Sequence, residues 1–154
     1  MWEKLRRFSE LEPAARNLFL RAMFLLPVVS LSLRWRGFRA TQRTLQGLLS
    51  MANSEKAPVP IPERTALTAH LVNSADRHGL VSSSCLAKSL TLWWLLEKQG
   101  IRSDLRIGIR KEQDKFEAHA WVERGGLALN EPDDHHRHYA AFDAAFTSSP
   151  MEEK

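Results

Sequence analysis

Ser82-Ser83-Ser84-Cys85-Leu86-Ala87-Lys88-Ser89-Leu90-Thr91-Leu92-Trp93-Trp94-Leu95-Leu96 is the stretch from which the fold can be read. A run of small polar residues gives way to Leu86, Leu90, Trp93, Trp94, Leu95 and Leu96, an apolar pattern that predicts a helix from Cys85 to Gln99, closed by Gly100. The first turn of that helix carries the only cysteine in the chain. A helix start presents backbone N–H groups without intrahelical acceptors and the positive end of the macrodipole, so a sulfur held there is stabilised as thiolate, the form that attacks carbonyls. Trp93 and Trp94 are adjacent and point about 100° apart on a helix, so at least one belongs to the core; the other is a candidate to line a groove.

Beyond Gly100 the period changes from helical to alternating. Leu105, Ile107 and Ile109 alternate with Arg106, Gly108 and Arg110, a half-buried strand. A polar loop, Lys111 to Lys115, leads to Phe116-Glu117-Ala118-His119-Ala120-Trp121-Val122-Glu123, a second strand carrying one histidine. Arg124-Gly125-Gly126 then turns into Leu127-Ala128-Leu129-Asn130, so the last two strands form a hairpin.

On the other side of the cysteine helix, Glu63 to His78 places Leu67, Leu71, Val72 and Ala75 in helical register and stops at Gly79. Ala57-Pro58-Val59-Pro60-Ile61-Pro62 reads as an extended strap or linker. The front third is helical: a helix opens at Pro13, Pro27 breaks or kinks it, Val28 to Trp35 forms a second piece ending at Gly37, and Thr41 to Met51 adds a short third. Helices followed by a meander define an α+β domain with its helices on one side of a small antiparallel sheet. The expected division is a helical region over 1–56, a core over 57–146 and a loose tail over 147–154. The polar stretch after residue 130 reads as loose apart from Tyr139, Phe142 and Phe146.

With 154 residues and 44% apolar content, the chain can bury one core. A single cysteine excludes an intrachain disulfide and a thiolate-rich zinc site, and points to a reducing, cytoplasmic setting. Residues 1–50 hold nine Lys/Arg against three Asp/Glu, so the basic character lies at the front. No nucleic-acid motif accompanies it, and nucleic acid is not expected as a partner. The apolar run Leu18 to Leu33 contains Arg21 and Pro27 and is shorter than the roughly 20 apolar residues that span a bilayer, so it is not read as a transmembrane helix and membrane contact is not expected, a membrane-surface role for residues 14–36 being the alternative. Acids before the run and arginines after it do not fit a secretory signal.

Cys85 and His119 suit a nucleophile and its general base, a thiol on a helix tip facing an imidazole on a neighbouring strand. The competing readings are a small buried hydrophobe and a core histidine. A catalytic histidine also needs a group to fix its tautomer and orientation, for which the hairpin offers Asn130, Glu131 and Asp133. Backbone N–H groups of Cys85 and Leu86 could hold an oxyanion. His135, His136 and His138 beside Asp133 and Asp134 match no established metal-ligand spacing and read as a solvated loop, and no metal or cofactor is expected.

Cys85-Leu86-Ala87-Lys88-Ser89-Leu90 with Gly100-Ile101, then Leu105-Arg106-Ile107-Gly108-Ile109-Arg110, then Ala118-His119-Ala120-Trp121-Val122-Glu123 and Leu129-Asn130 resemble the transglutaminase-like cysteine protease of lasso-peptide biosynthesis. The resemblance covers about residues 60–145. It implies a papain/transglutaminase-like fold and an enzyme that removes the leader from a ribosomally made precursor peptide, freeing the core peptide for a macrolactam-forming cyclase. It also implies a free-standing protease that works with a separate small leader-recognition protein, for which the basic, apolar front is a docking candidate. Cys85 would be the nucleophile and His119 the base and acid. The family's usual aspartate, twelve residues after the histidine, is Glu131 here, with Asn130 as the alternative third member. Acyl transfer to an amine, or a non-catalytic peptide-binding adaptor, are the other activities such a fold could carry.

Overall fold

The structure is a computed structural model that describes residues 12–51, 60–79, 83–112, 115–130 and 135–142. Helix α1 (Pro13–Ser50) opens with proline in its first turn, where the missing N–H costs nothing. It runs through Pro27 and bends at Gly37, whose φ of 76° and ψ of 176° are non-helical. The helix is thus not broken at Pro27, whereas the end expected at Gly37 is where it bends. Pro27 is exposed and gives up one backbone hydrogen bond, but Leu26 and Val29 beside it are buried, and their burial holds the turn together. At the bend the Thr41 hydroxyl donates to the Gly37 carbonyl at 2.8 Å and lies 2.8 Å from Ser32 Oγ, which ties the two arms.

Helix α2 (Ile61–His78) takes Pro62 into its first turn, so Ile61 and Pro62 belong to the helix and not to the extended strap. Residues 57–59 of that strap lie outside the described residues. Helix α3 (Cys85–Lys98) is the cysteine helix; Gly100, with φ 73°, ends it as Gly100 N–H donates to Glu97 O and Ile101 N–H to Leu96 O, both at 2.9 Å. Leu90, Leu92, Trp93, Leu95 and Leu96 are fully buried. Trp94 is core as well, its indole N–H donating to the Leu45 carbonyl of α1 at 3.0 Å, so neither tryptophan is the groove-lining residue considered from sequence.

The sheet comprises β1 (Asp104–Glu112), β2 (Lys115–Arg124), β3 (Leu127–Ala128) and β4 (Ala140–Ala141), antiparallel in the order β3-β2-β1-β4. Strand β4 and the 3-10 turn His135–His138 before it were not expected from sequence. Two alanines carry no periodicity. Tyr139, next to β4, is buried, in keeping with its exception from the loose stretch, and Ala140 and Ala141 pair with β1. Residues 143–154 lie outside the described residues.

One core joins these layers. Ala22, Leu26, Val29 and Leu45 of α1, Ala69, Val72 and Ala75 of α2, the inner face of α3, and Leu105 and Val122 of the sheet pack together. The front helices thus share the core of the cysteine helix. This arrangement holds the first turn of α3 between α2 and β2.

Candidate active site

Cys85 is the first residue of α3 and is half-buried. Ser84 caps the helix, its Oγ accepting from Ala87 N–H at 3.2 Å, and the Ser84 carbonyl accepts the first helical bond, from Lys88 N–H at 3.0 Å. The N–H groups of Cys85 and Leu86 belong to the first turn and have no acceptor within the helix. The approach to this turn is held from α2: Ser83 N–H donates to Asp76 Oδ1 at 3.2 Å, and Lys88 Nζ lies 3.4 Å from Asp76 Oδ2.

One helical turn further on, Ser89 keys α3 to the hairpin. Its hydroxyl donates to the Ala120 carbonyl at 2.9 Å and accepts from Asn130 Nδ2 at 3.0 Å, while Asn130 Oδ1 accepts from Val122 N–H at 2.8 Å. All of these groups are buried. The direction of α3 along β2 follows from its other end, where Ser103 N–H donates to Glu97 Oε1 at 3.1 Å and Arg124 Nε donates to the Arg102 carbonyl at 3.2 Å. The C-terminal turn of α3 thus lies by Arg124, Ser89 by Ala120, and Cys85 about 6 Å beyond Ser89 toward the His119 end of β2.

His119 pairs with Gly108 across β1 and β2, and by alternation its side chain shares a face with Gly108 and Trp121, whereas Leu105 and Val122 on the other face pack with α3. Tyr139 covers the imidazole, ring centroids 5.0 Å apart, and Trp121 stacks at 6.2 Å. The fit is close: a Cβ on Gly108 would lie 3.0 Å from Trp121, 3.0 Å from Tyr139 Cβ and 3.1 Å from the Ala140 carbonyl. Arg110 reaches over Tyr139, 5.0 Å from its ring centre, and its guanidinium donates to Glu117 at 2.6 Å. That bond, helped by the Tyr139 hydroxyl and outweighing desolvation, holds the Glu117 carboxyl below the usual carboxylate range. It likewise raises Arg110. On the side away from β1, the described hydrogen-bonded neighbours of β2 reach only from Val122 to Arg124, so β2 is an edge at His119 among the described residues.

Of the third-group candidates, Asn130 is committed at both ends of its amide to Ser89 and Val122, and its visible role is to position the hairpin on α3. Glu131 and Asp133 lie outside the described residues. The expected solvated loop is corrected in part: the His136 ring is half-buried and packs 5.9 Å from Trp121. Among the described residues no group of three or more His, Cys, Asp or Glu could hold a metal ion. A groove of about 600 Å³ runs between α2 and α3, with His70, Asn73, Asp76, Lys88, Leu129 and Asn130 in its lining. Lys88 is one turn from Cys85, so this groove adjoins the thiol's turn. The sequence did not reveal the cover formed by Gly108 and Tyr139, because its partners are distant along the chain.

A helix that begins with a half-buried cysteine and packs on an antiparallel hairpin carrying a histidine defines an α+β domain of the transglutaminase-like class. The chain belongs to the Transglutaminase-like superfamily, whose family profile matches residues 26–143. The match begins inside α1. This superfamily includes cysteine proteases and acyltransferases, and its fold is typically catalytic. No curated protein and no solved structure matches the chain.

Proposed function

We propose that this protein is a cysteine peptidase that cleaves the leader from a ribosomally made lasso-peptide precursor. The observation that supports the reading is the half-buried Cys85 at the first turn of α3, a helix that the hydrogen bond from Ser89 to Ala120 keys to the strand carrying His119. The motif resemblance supplies the substrate class. The Cys85 thiolate attacks the carbonyl at the leader–core junction, and the resulting oxyanion is held by the Cys85 and Leu86 N–H groups. In this proposal His119, whose ring lies on the sheet face away from α3 and under Tyr139, must swing past the edge of β2 to take the thiol proton, which it then gives to the departing amine of the core peptide. Water, losing a proton to His119, then hydrolyses the thioester and releases the leader. With the Asn130 amide engaged elsewhere, Glu131 is the group proposed to orient the imidazole.

In this reading the groove between α2 and α3 receives the leader side of the substrate, a separate small recognition protein delivers it, and the cyclase consumes the product. A cytoplasmic setting would keep the lone thiol reduced. The test is mass spectrometry of a precursor mixed with the chain, with and without such a recognition protein. Two fragments whose masses sum to the precursor plus one water support hydrolysis; an amine adduct indicates acyl transfer instead. Cys85→Ala is expected to abolish cleavage, by about a thousandfold or more, with precursor binding retained. Function intact in Cys85→Ala would leave a peptide-binding adaptor.

A further inference from the structure

The 13–36 arm of α1 carries two apolar faces. One holds Ala15, Ala22, Leu26 and Val29 and is buried. The opposite one holds Leu20, Phe24, Val28, Leu31 and Trp35, exposed by 53, 71, 47, 51 and 78%. At about 100° per residue these five fall on one stripe, bordered by Arg16 and Arg34 on one side and Arg21 on the other. Arg36, Arg39 and Arg43 continue the positive charge around the Gly37 bend, and no Asp or Glu occurs between Glu12 and Glu55. Helix α1 is long and apolar enough to cross a membrane, yet only 17% of its most apolar window is buried.

Three observations select the occupant. The border is purely cationic, which complements phosphate headgroups. The stripe is carried by a single helix, a form suited to insertion between fluid acyl chains. The other face of the same helix is committed to α2 and α3, which prevents the arm from spanning the bilayer. We propose that the 13–36 arm lies in the plane of an anionic bilayer surface, with Leu20, Phe24, Val28, Leu31 and Trp35 among the acyl chains and the bordering arginines at the lipid phosphates. This takes up the membrane-surface alternative that the sequence leaves open for residues 14–36, on the exposed stripe that the helix presents.

The test is flotation of the full chain with vesicles of phosphatidylcholine alone, or of phosphatidylcholine with about one third phosphatidylglycerol, at low and high salt. The chain is expected to bind the anionic vesicles at least tenfold more tightly than the neutral ones and to lose that advantage as salt rises. Phe24→Glu/Leu31→Glu, at exposed positions outside the core, should weaken binding at least tenfold with an unchanged thermal midpoint. If that variant is destabilised, Arg34→Gln/Arg36→Gln decides, with a fall of at least threefold on anionic vesicles alone. Failure of the wild-type chain to float, or undiminished flotation of the deciding variant, overturns the proposal. So does a wild-type dimer in sedimentation that the same substitutions dissociate, since the stripe would then face a second copy.

Discussion

Gly108→Ala tests the close approach that covers His119. The added methyl carbon would meet Trp121, Tyr139 Cβ and the Ala140 carbonyl at 3.0, 3.0 and 3.1 Å, against an optimum of roughly 3.5–4.0 Å for such contacts. Gly108 does not have positive φ, so the effect is steric and not conformational. Trp121 is buried within β2, whereas Tyr139 and Ala140 belong to a segment held by a two-residue strand and by Phe142 N–H donating to Ile107 O at 2.9 Å. The short strand should give way, lifting Tyr139 from the imidazole. Overpacking of this kind costs about 1–3 kcal/mol. With a urea slope of about 1–3 kcal/mol/M, the unfolding midpoint should fall by roughly 1 M. Gly47→Ala, inside α1 with nothing within 4 Å of the new Cβ, should instead gain about 0.5–1 kcal/mol. An unchanged midpoint for Gly108→Ala, together with His119 ring-proton resonances still shielded by Tyr139, would refute the reasoning.

Asn130→Ala removes an acceptor from Val122 N–H and a donor to Ser89 Oγ, both buried, and should cost about 2–4 kcal/mol in chemical denaturation while loosening the hairpin from α3. Pro27→Ala restores a backbone donor at an exposed position of α1 and should stabilise by about 1–3 kcal/mol; a loss of thermal stability would show that proline is needed for the helix path. Arg110→Ala should raise the Glu117 titration, followed by NMR, toward the ordinary carboxylate range. The sign follows from the depressed value: the folded chain holds the Glu117 proton less tightly than the unfolded chain, so the pair's contribution is present at neutral pH and lost as pH falls through the carboxylate range. A Glu117 titration unmoved in Arg110→Ala would remove Arg110 as its cause.

The sequence by itself determined the elements whose signals are local. The serine run and helical spacing around Cys85, the glycine at 100, and the alternation around His119 with Gly125-Gly126 each specify a turn, a cap or a strand within a few residues, and those elements stand where they were read. Tertiary structure alone decided what depends on distant partners. Burial of Leu26 and Val29 carries α1 through Pro27; the Leu45 carbonyl draws Trp94 into the core from 49 residues away. The missing side chain at Gly108 admits Tyr139 and β4 from some 30 residues downstream, and packing of Leu105 and Val122 with α3 chooses the inner face of β2. Local periodicity reports which backbone shape a segment prefers, whereas the partner that each face meets is set by burial and hydrogen bonding across the fold, which no short window of residues contains.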